Sequence, residues 1–215
     1  MENVIIFANG HLNDGIAVRQ ALERPALLMA ADGGANLALK MDYLVSVVIG
    51  DMDSIFPETL THLEAQGAEV LRFPMEKNET DLELALREAV RRGARWIRLI
   101  GAVGNRLDQT MANVYLMNLP ELAAVDVRIV AGRQTIWLLP PGDHVLLGEV
   151  GDTLSLIPIS GDVTGITTSG LKYVLREDRL AFGPARGVSN VIIQAEPQVH
   201  IAAGILMVVH TVGRA

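Results

Sequence analysis

The chain has 215 residues, 50% of them hydrophobic, which is long enough for one large domain or two small ones with a core that needs no outside staples. It contains no cysteine, so disulfides, thiolate metal sites and cysteine nucleophiles are excluded, and any metal must be held by oxygen or histidine. The formal charge of -7 argues against non-specific nucleic-acid binding and favours a small ligand.

In chain order, Val4 to Ala8 is a first strand-length apolar run. Ala26 to Ala30 is a second and leads into Ala31-Asp32-Gly33-Gly34-Ala35-Asn36. A third, Val45 to Ile49, ends abruptly in Gly50-Asp51-Met52-Asp53-Ser54. Two carboxylates one residue apart at the carboxyl end of a buried strand are an economical way to hold a hard divalent cation where a phosphorylated ligand sits. Val70 to Phe73 precedes a polar turn and Thr80-Asp81, after which Leu82, Ala85, Leu86, Ala89 and Val90 recur at helical spacing. Thr80 caps that helix and Asp81 falls in its first turn. Trp96 to Ile100 delivers Gly101-Ala102-Val103-Gly104-Asn105-Arg106-Leu107-Asp108, and Val125 to Val130 is one more strand. Strand-helix alternation of this kind predicts an α/β domain with a mainly parallel sheet and its loops gathered on one edge. Neither a Gly-x-Gly-x-x-Gly fingerprint nor a Walker lysine motif occurs in it.

The texture changes near Pro140-Pro141-Gly142, where helical periodicity fades. Short β-rich runs follow: Val145 to Leu147, Thr153 to Ile157, Val163 to Thr167, Leu171 to Leu175, Val188 to Ile193 and Ile205 to Thr211. They predict an all-β sandwich. The boundary is placed within 132–142, giving domains 1–135 and 136–215. Trp96 and Trp137 lie in apolar runs and are expected in the core. The terminus Met1-Glu2-Asn3 is acidic and lacks a signal-type region, and no apolar run approaches the roughly 20 residues that span a bilayer, so a cytoplasmic protein without membrane contact is expected. The five histidines, at 11, 62, 144, 200 and 210, show no metal-ligand spacing and are read as surface or packing residues.

Taken singly, an Asp-x-Asp after a strand is more often a turn or cap than a metal site. Here the elements occur together and in order: Asp32-Gly33-Gly34-Ala35-Asn36, Gly50-Asp51-Met52-Asp53-Ser54, Thr80-Asp81, Gly104-Asn105-Arg106-Leu107-Asp108-Gln109 with Asn113, Thr168-Ser169-Gly170-Leu171-Lys172-Tyr173 and Ser189-Asn190. In this order, across nearly the whole chain, they resemble the thiamine pyrophosphokinase family. The resemblance implies an α/β domain followed by a β-sandwich, a homodimer with the acceptor site at the subunit interface, and transfer of pyrophosphate from ATP to the hydroxyl of thiamine with magnesium. Two other readings differ in acceptor or class: a pyrophosphokinase for another alcohol such as a hydroxymethyl pterin, and a non-catalytic thiamine or nucleotide sensor.

Such a transfer requires the triphosphate charge to be neutralised, the hydroxyl aligned and the leaving AMP stabilised. Asp51, Asp53 and Asp81 are the first candidates for magnesium ligands, and Asp32 either binds metal through water or orients Gly33 and Gly34, whose missing side chains let amides approach phosphates. Arg106 suits a phosphate oxygen, Asp108 either anchors it or receives the substrate proton, and Lys77 is a second phosphate cation, though a lysine in a polar loop is usually only solvated. Asn36, Ser54 and Gly104 complete the expected ATP contacts by resemblance. Thr168, Ser169, Tyr173, Ser189 and Asn190 are, also by resemblance, the thiamine contacts. The chain departs from the family pattern at Glu76 and Asn78, where many relatives carry aspartates, which leaves the number of magnesium ions open; Asn105, Gln109 and Tyr173 stand for a frequent glycine, histidine and tryptophan.

Overall fold

The computed structural model describes residues 3–214; Met1 and Glu2, which carry part of the reading of the amino terminus, lie outside them. The chain divides between Gly132 and Arg133 into two compact units.

The first unit alternates as the apolar runs dictate: β1 (Asn3–Phe7), α1 (Ile16–Leu22), β2 (Leu27–Ala31), α2 (Gly34–Lys40), β3 (Val47–Gly50), α3 (Pro57–Ala65), β4 (Glu69–Arg72), α4 (Asp81–Arg91), β5 (Trp96–Ile100), α5 (Leu107–Leu116) and β6 (Asp126–Ala131). The strands lie in the order β6-β5-β1-β2-β3-β4, and every pairing between them is parallel. Val4, Ile5, Ile6 and Phe7 are all buried, because a parallel sheet covered on both faces admits no polar alternation. Ile5, Phe7, Ala30, Val48, Ile100 and Val130 pack with Ala17, Val18 and Ala35 of the helices in one cluster.

Helix α4 buries Leu82, Ala85, Leu86 and Ala89, the face marked by the periodicity, and packs on β1, β2 and β3. It starts where expected: the Thr80 hydroxyl accepts a hydrogen bond from the Glu83 N–H at 3.2 Å, a cap worth about 1 kcal/mol. The cap delivers Asp81 to the carboxyl edge of the sheet, beside the ends of β2 and β3.

The second unit holds β7 (Gln134–Leu139), β8 (Gly142–Val145), β9 (Thr153–Pro158), β10 (Val163–Ser169), β11 (Asp178–Leu180), β12 (Asn190–Val191), β13 (Gln198–Ile201) and β14 (Leu206–Thr211). Two antiparallel layers, β12-β9-β14-β7 and β11-β10-β13-β8, enclose Trp137, Leu154, Leu156, Val163, Ile166, Val199, Leu206 and Val208. This is the all-β domain expected from the short runs.

Several boundaries differ from the sequence reading, each for a local reason. Leu171 to Leu175 is not a strand: only Leu171 forms a bridge, to Ile192, after Gly170 turns the chain at φ 72°. Val188 to Ile193 shrinks to Asn190–Val191 because Ser189 sits at φ 60°. The run Val145 to Leu147 keeps only Val145 in β8. Strand β7 falls in the stretch read as a boundary, and β11 and β13 were not anticipated, being short and largely polar in composition. Trp137 is buried as expected, whereas Trp96 is half-buried, with the guanidinium groups of Arg98 and Arg24 over its ring at 4.2 Å and 5.0 Å from the centroid.

Candidate active site

The carboxyl ends of the parallel strands open on a cleft of about 670 Å³ within the first unit. Its walls come from the loops after β1 (Asn9, Gly10, His11), β2 (Asp32), β3 (Asp51, Asp53, Ser54) and β5 (Gly104, Asn105, Arg106), and from the segment entering α4 (Lys77, Thr80, Asp81).

The loop after β3 is built to present its acids. Gly50 sits at φ 152°, and Met52 at φ 68° takes a left-handed turn that L-residues rarely adopt. That turn lets the Asp53 N–H donate to Asp51 Oδ1 at 3.2 Å, and Ser54 Oγ donates to Asp53 Oδ1 at 2.8 Å. Asn36 holds the far side, its Nδ2 donating to the Ser54 carbonyl at 3.0 Å and its Oδ1 accepting the Phe56 N–H at 3.1 Å. Both polar ends of Asn36 are thus engaged in holding the loop. Removing them in Asn36→Ala is expected to cost about 1–2 kcal/mol in denaturant unfolding, the worth of the two hydrogen bonds, and to lower turnover with it.

Asp32, at φ 45°, is buried and accepts the Ser54 N–H on Oδ2 at 3.1 Å, while its buried Oδ1 has no donor. Oxygens of Asp32, Asp51 and Asp53 lie within 4.8 Å of one another. The structure therefore groups Asp32, read as the next candidate after the other three, with the Asp51-Asp53 pair. Asp81 stands beside this group, its buried Oδ1 ion-paired with Lys77 Nζ at 3.1 Å. An all-oxygen donor set with an unsatisfied buried carboxylate oxygen fits a hard divalent cation.

The titration behaviour follows from the crowding. Burial pushes the carboxyl of Asp32 above the usual range, and burial does the same to Asp81, with the Asp51 and Asp53 charges adding to it against the pull of Lys77. Burial acts on Asp51 too, but the Asp53 N–H and Lys77 outweigh it and hold that group low. Lys77 is held above its usual value, because the two carboxylates overcome its own desolvation.

The other expected residues are held by contacts of their own. A Cβ on Gly34 would lie 2.0 Å from the Phe7 carbonyl, and one on Gly33 2.5 Å from Asn9, so both glycines serve close packing of α2 against β1 and its loop. Arg106 and Asp108 form an exposed two-pronged ion pair, Nε to Oδ1 at 2.9 Å and Nη2 to Oδ2 at 2.6 Å. The Gly104 N–H donates to the Thr110 hydroxyl at 3.2 Å, and buried Asn113 donates to the Ala102 carbonyl at 2.8 Å, which together shape the loop after β5. Glu76 and Asn78, the positions that depart from the family pattern, are exposed and do not line the cleft.

In the second unit, buried Asn190 clamps the segment that fails to form a strand: Oδ1 accepts the Tyr173 N–H at 2.9 Å and Nδ2 donates to the Tyr173 carbonyl at 2.7 Å. Buried Thr168 accepts the Leu175 N–H at 2.8 Å. Tyr173, Ser189 and Ser169 are exposed. Thr168 and Ser169 line a groove of about 400 Å³ with Asp143, His144 and His200, whereas Tyr173, Ser189 and Asn190 gather beside β12. Among the described residues His210 is the buried histidine, its Nε2 2.7 Å from Asp152 Oδ2, a packing role as expected.

Residues 18–130 match the model of the thiamin pyrophosphokinase catalytic domain, and residues 143–206 that of the thiamin pyrophosphokinase vitamin B1 binding domain. The chain belongs to the thiamine pyrophosphokinase family. It is 26% identical to the thiamine pyrophosphokinase of Bacillus subtilis over 98% of this chain and 99% of that one, and 29% identical to thiamine pyrophosphokinase 1 of Arabidopsis thaliana over 79% and 72%. The crystal structure of the Bacillus subtilis protein superposes with a TM-score of 0.86 at 25% identity, covering 98% and 99% of the two chains. That of the Geobacillus thermodenitrificans thiamin pyrophosphokinase gives 0.83 at 28%, covering 98% and 97%.

Within this member of the thiamine pyrophosphokinase family, one feature of the cleft escapes the sequence reading. The loop Asn9-Gly10-His11 lines it, held by the Gly10 N–H on the Gly101 carbonyl at 2.8 Å and the His11 N–H on the Val103 carbonyl at 3.1 Å. The signal was present, since Val4 to Ala8 ends at the same edge as the other strands. Lys77, a candidate phosphate cation in the sequence, does line the cleft, and its Nζ stands between Asp51 Oδ2 at 3.3 Å and Asp81 Oδ1 at 3.1 Å.

Proposed function

We propose that this thiamine pyrophosphokinase draws its pyrophosphate from ATP, uses magnesium, and carries out the transfer in the cleft of the first unit. The observation that supports the reading most is the convergence of Asp32, Asp51 and Asp53 oxygens at the carboxyl ends of β2 and β3, with Asp81 alongside. Asp51, Asp53 and Asp32 would hold the ion, with Asp81 next to them, and a bound magnesium supplies charge neutralisation for the triphosphate and the developing negative charge. The thiamine hydroxyl oxygen forms a bond to the β-phosphorus as the bond from that phosphorus to the α,β-bridging oxygen breaks, AMP leaves with that oxygen, and the hydroxyl proton passes to solvent.

Arg106 turns Nε and Nη2 to Asp108, which leaves Nη1 for a phosphate oxygen. Asp108 serves as its anchor: the Arg106 hydrogen bonds, first, and the Gln109 N–H hold its carboxyl down to about 2. A group so acidic accepts a proton poorly near neutrality. Its folded pKa lies below the unfolded value, so the pair is intact above the ordinary carboxylate range and is lost only as pH falls through about 2. Asp108→Asn is therefore expected to lower kcat/KM roughly tenfold, the worth of one charge-assisted hydrogen bond, without moving the acid limb of the profile between about pH 5 and about pH 9. A shifted limb would make Asp108 the base.

On the acceptor side we assign exposed Ser169, Tyr173 and Ser189 to contact with thiamine, and Thr168 and Asn190 to holding those segments in place. We also read the protein as a cytoplasmic homodimer in which one subunit's sandwich meets the acidic loops of its partner. Leu107, Met111 and Tyr115, spaced four apart on α5 beside Arg106, are all exposed, and this apolar stripe supports a partner on that face. No helix among the described residues is long and apolar enough to cross a membrane.

The test is an assay of purified protein with ATP and magnesium, with and without thiamine, separating AMP from ADP. Thiamine-dependent AMP with an equal amount of thiamine diphosphate is the expected result. AMP with another alcohol only would point to a different pyrophosphokinase, and thiamine binding with no AMP to a sensor.

A further inference from the structure

We propose that Lys77 is a built-in counter-ion of the acidic cleft: it braces the metal-free carboxylates and, by occupying their charge, sets how weakly or tightly a divalent cation binds. The inference rests on the metal reading above.

Its Nζ lies 3.3 Å from Asp51 Oδ2, 3.1 Å from Asp81 Oδ1 and 3.1 Å from the Pro74 carbonyl. Only 12% of the side chain is exposed, whereas Arg106, the other cation of the cleft, is 72% exposed and fully engaged with Asp108 along one edge. One ammonium thus ties together the loop after β3, the loop after β4 and the first residue of α4. Four carboxylates, Asp32, Asp51, Asp53 and Asp81, share this corner, and Lys77 is the positive side chain set among them. Without it, like charges a few ångströms apart repel across the loop after β3 and the start of α4. With it, an incoming cation meets a fixed positive charge already paired with two of the carboxylates. Lys77 is accordingly a positioning residue whose loss changes two quantities in opposite directions: the metal-free fold weakens and metal affinity rises. A simple structural lysine would lower both, and a lysine that serves only the triphosphate would leave both alone.

The experiment is Mn2+ binding to the full chain without nucleotide, followed by electron paramagnetic resonance, with melting in chelator and in Mn2+ as the second readout. Lys77→Gln, which keeps hydrogen-bonding capacity and removes charge, is expected to bind Mn2+ on the order of tenfold tighter. It is expected to melt below wild type in chelator, with the gap closing as Mn2+ is added. Lys77→Arg keeps the charge and stays near wild-type affinity. Unchanged or weaker Mn2+ binding by Lys77→Gln, with normal binding by wild type, overturns the inference while leaving the metal site standing. If wild type binds no Mn2+ that Asp51→Asn abolishes, the metal reading fails and this inference falls with it. Should Lys77→Gln not fold in chelator, recovery of native circular dichroism on adding Mn2+ supports the inference, and no recovery overturns it.

Discussion

Asp51→Asn is expected to lower turnover by at least about 10³-fold while the protein stays folded, with Asp53→Asn behaving alike. The substitution keeps shape and removes one negative charge from a corner where Asp32, Asp51 and Asp53 oxygens lie within 4.8 Å. A neutral amide oxygen still faces the cleft, so the loss reflects charge rather than geometry. The fold should tolerate the change because the acids repel one another, and the Asp53 N–H can donate to the amide oxygen as it does to the carboxylate at 3.2 Å. Steady-state rates with saturating magnesium and ATP, set beside circular dichroism melts, check both halves. Turnover within tenfold of wild type would take Asp51 out of the metal site.

The second large effect is expected at Gly50, which lies at the hinge of the whole arrangement. Its φ of 152° belongs to a region that side chains avoid, and a Cβ there would stand 2.9 Å from Asp32 Cβ and 3.1 Å from Asp81 Cγ. Asp32 is buried and its Cβ moves only with the backbone, so the crowding cannot be relieved by rotating a distant side-chain end. Strain and overpacking together put Gly50→Ala at about 2–4 kcal/mol less stable. For a chain of this size that is a fall in Tm of roughly 5–15 °C. Gly67→Ala is the control. Gly67 is also at positive φ, 84°, but a Cβ there meets nothing within 4 Å, so it reports backbone strain alone, about 1–2 kcal/mol. Equal losses in the two variants would show that Gly50 is not pressed against the acids. Turnover of Gly50→Ala should fall further than its stability implies, because the residues displaced are Asp32 and Asp81 themselves.

Much of the first unit and its cleft was legible in the amino-acid order. Runs such as Val4 to Ala8 and Ala26 to Ala30 are uniformly apolar because both faces of a parallel sheet are covered, and the acids that follow such runs collect at one edge because parallel strands share a direction. Thr80 and Asp81 could be placed because a cap and a first turn depend on neighbours within one helical turn. The same logic, applied to the loop after β1, reaches Asn9, Gly10 and His11. In the second unit the short runs were enough to indicate β-structure, but not which runs pair. Gln198–Ile201 is a strand because β8 and β10 flank it, while the more apolar Leu171 to Leu175 is not, because Asn190 takes the Tyr173 backbone groups that a ladder would need.

Sequence by itself determined the strands of the first unit, helix α4, their order and the edge at which the functional loops meet, since periodicity, capping and strand-end chemistry are properties of adjacent residues. Only the tertiary structure decided which acids converge, that Lys77 joins Asp51 to Asp81, that Gly34 is a packing residue against Phe7, and that Asn36 and Asn190 spend their side chains on backbone. Each of these depends on groups brought together from separate segments, or, for Lys77 and Asp81, on where one helix begins against a sheet. Local patterns specify the segments; the close approach of their atoms is set by how the sheet, helices and loops pack.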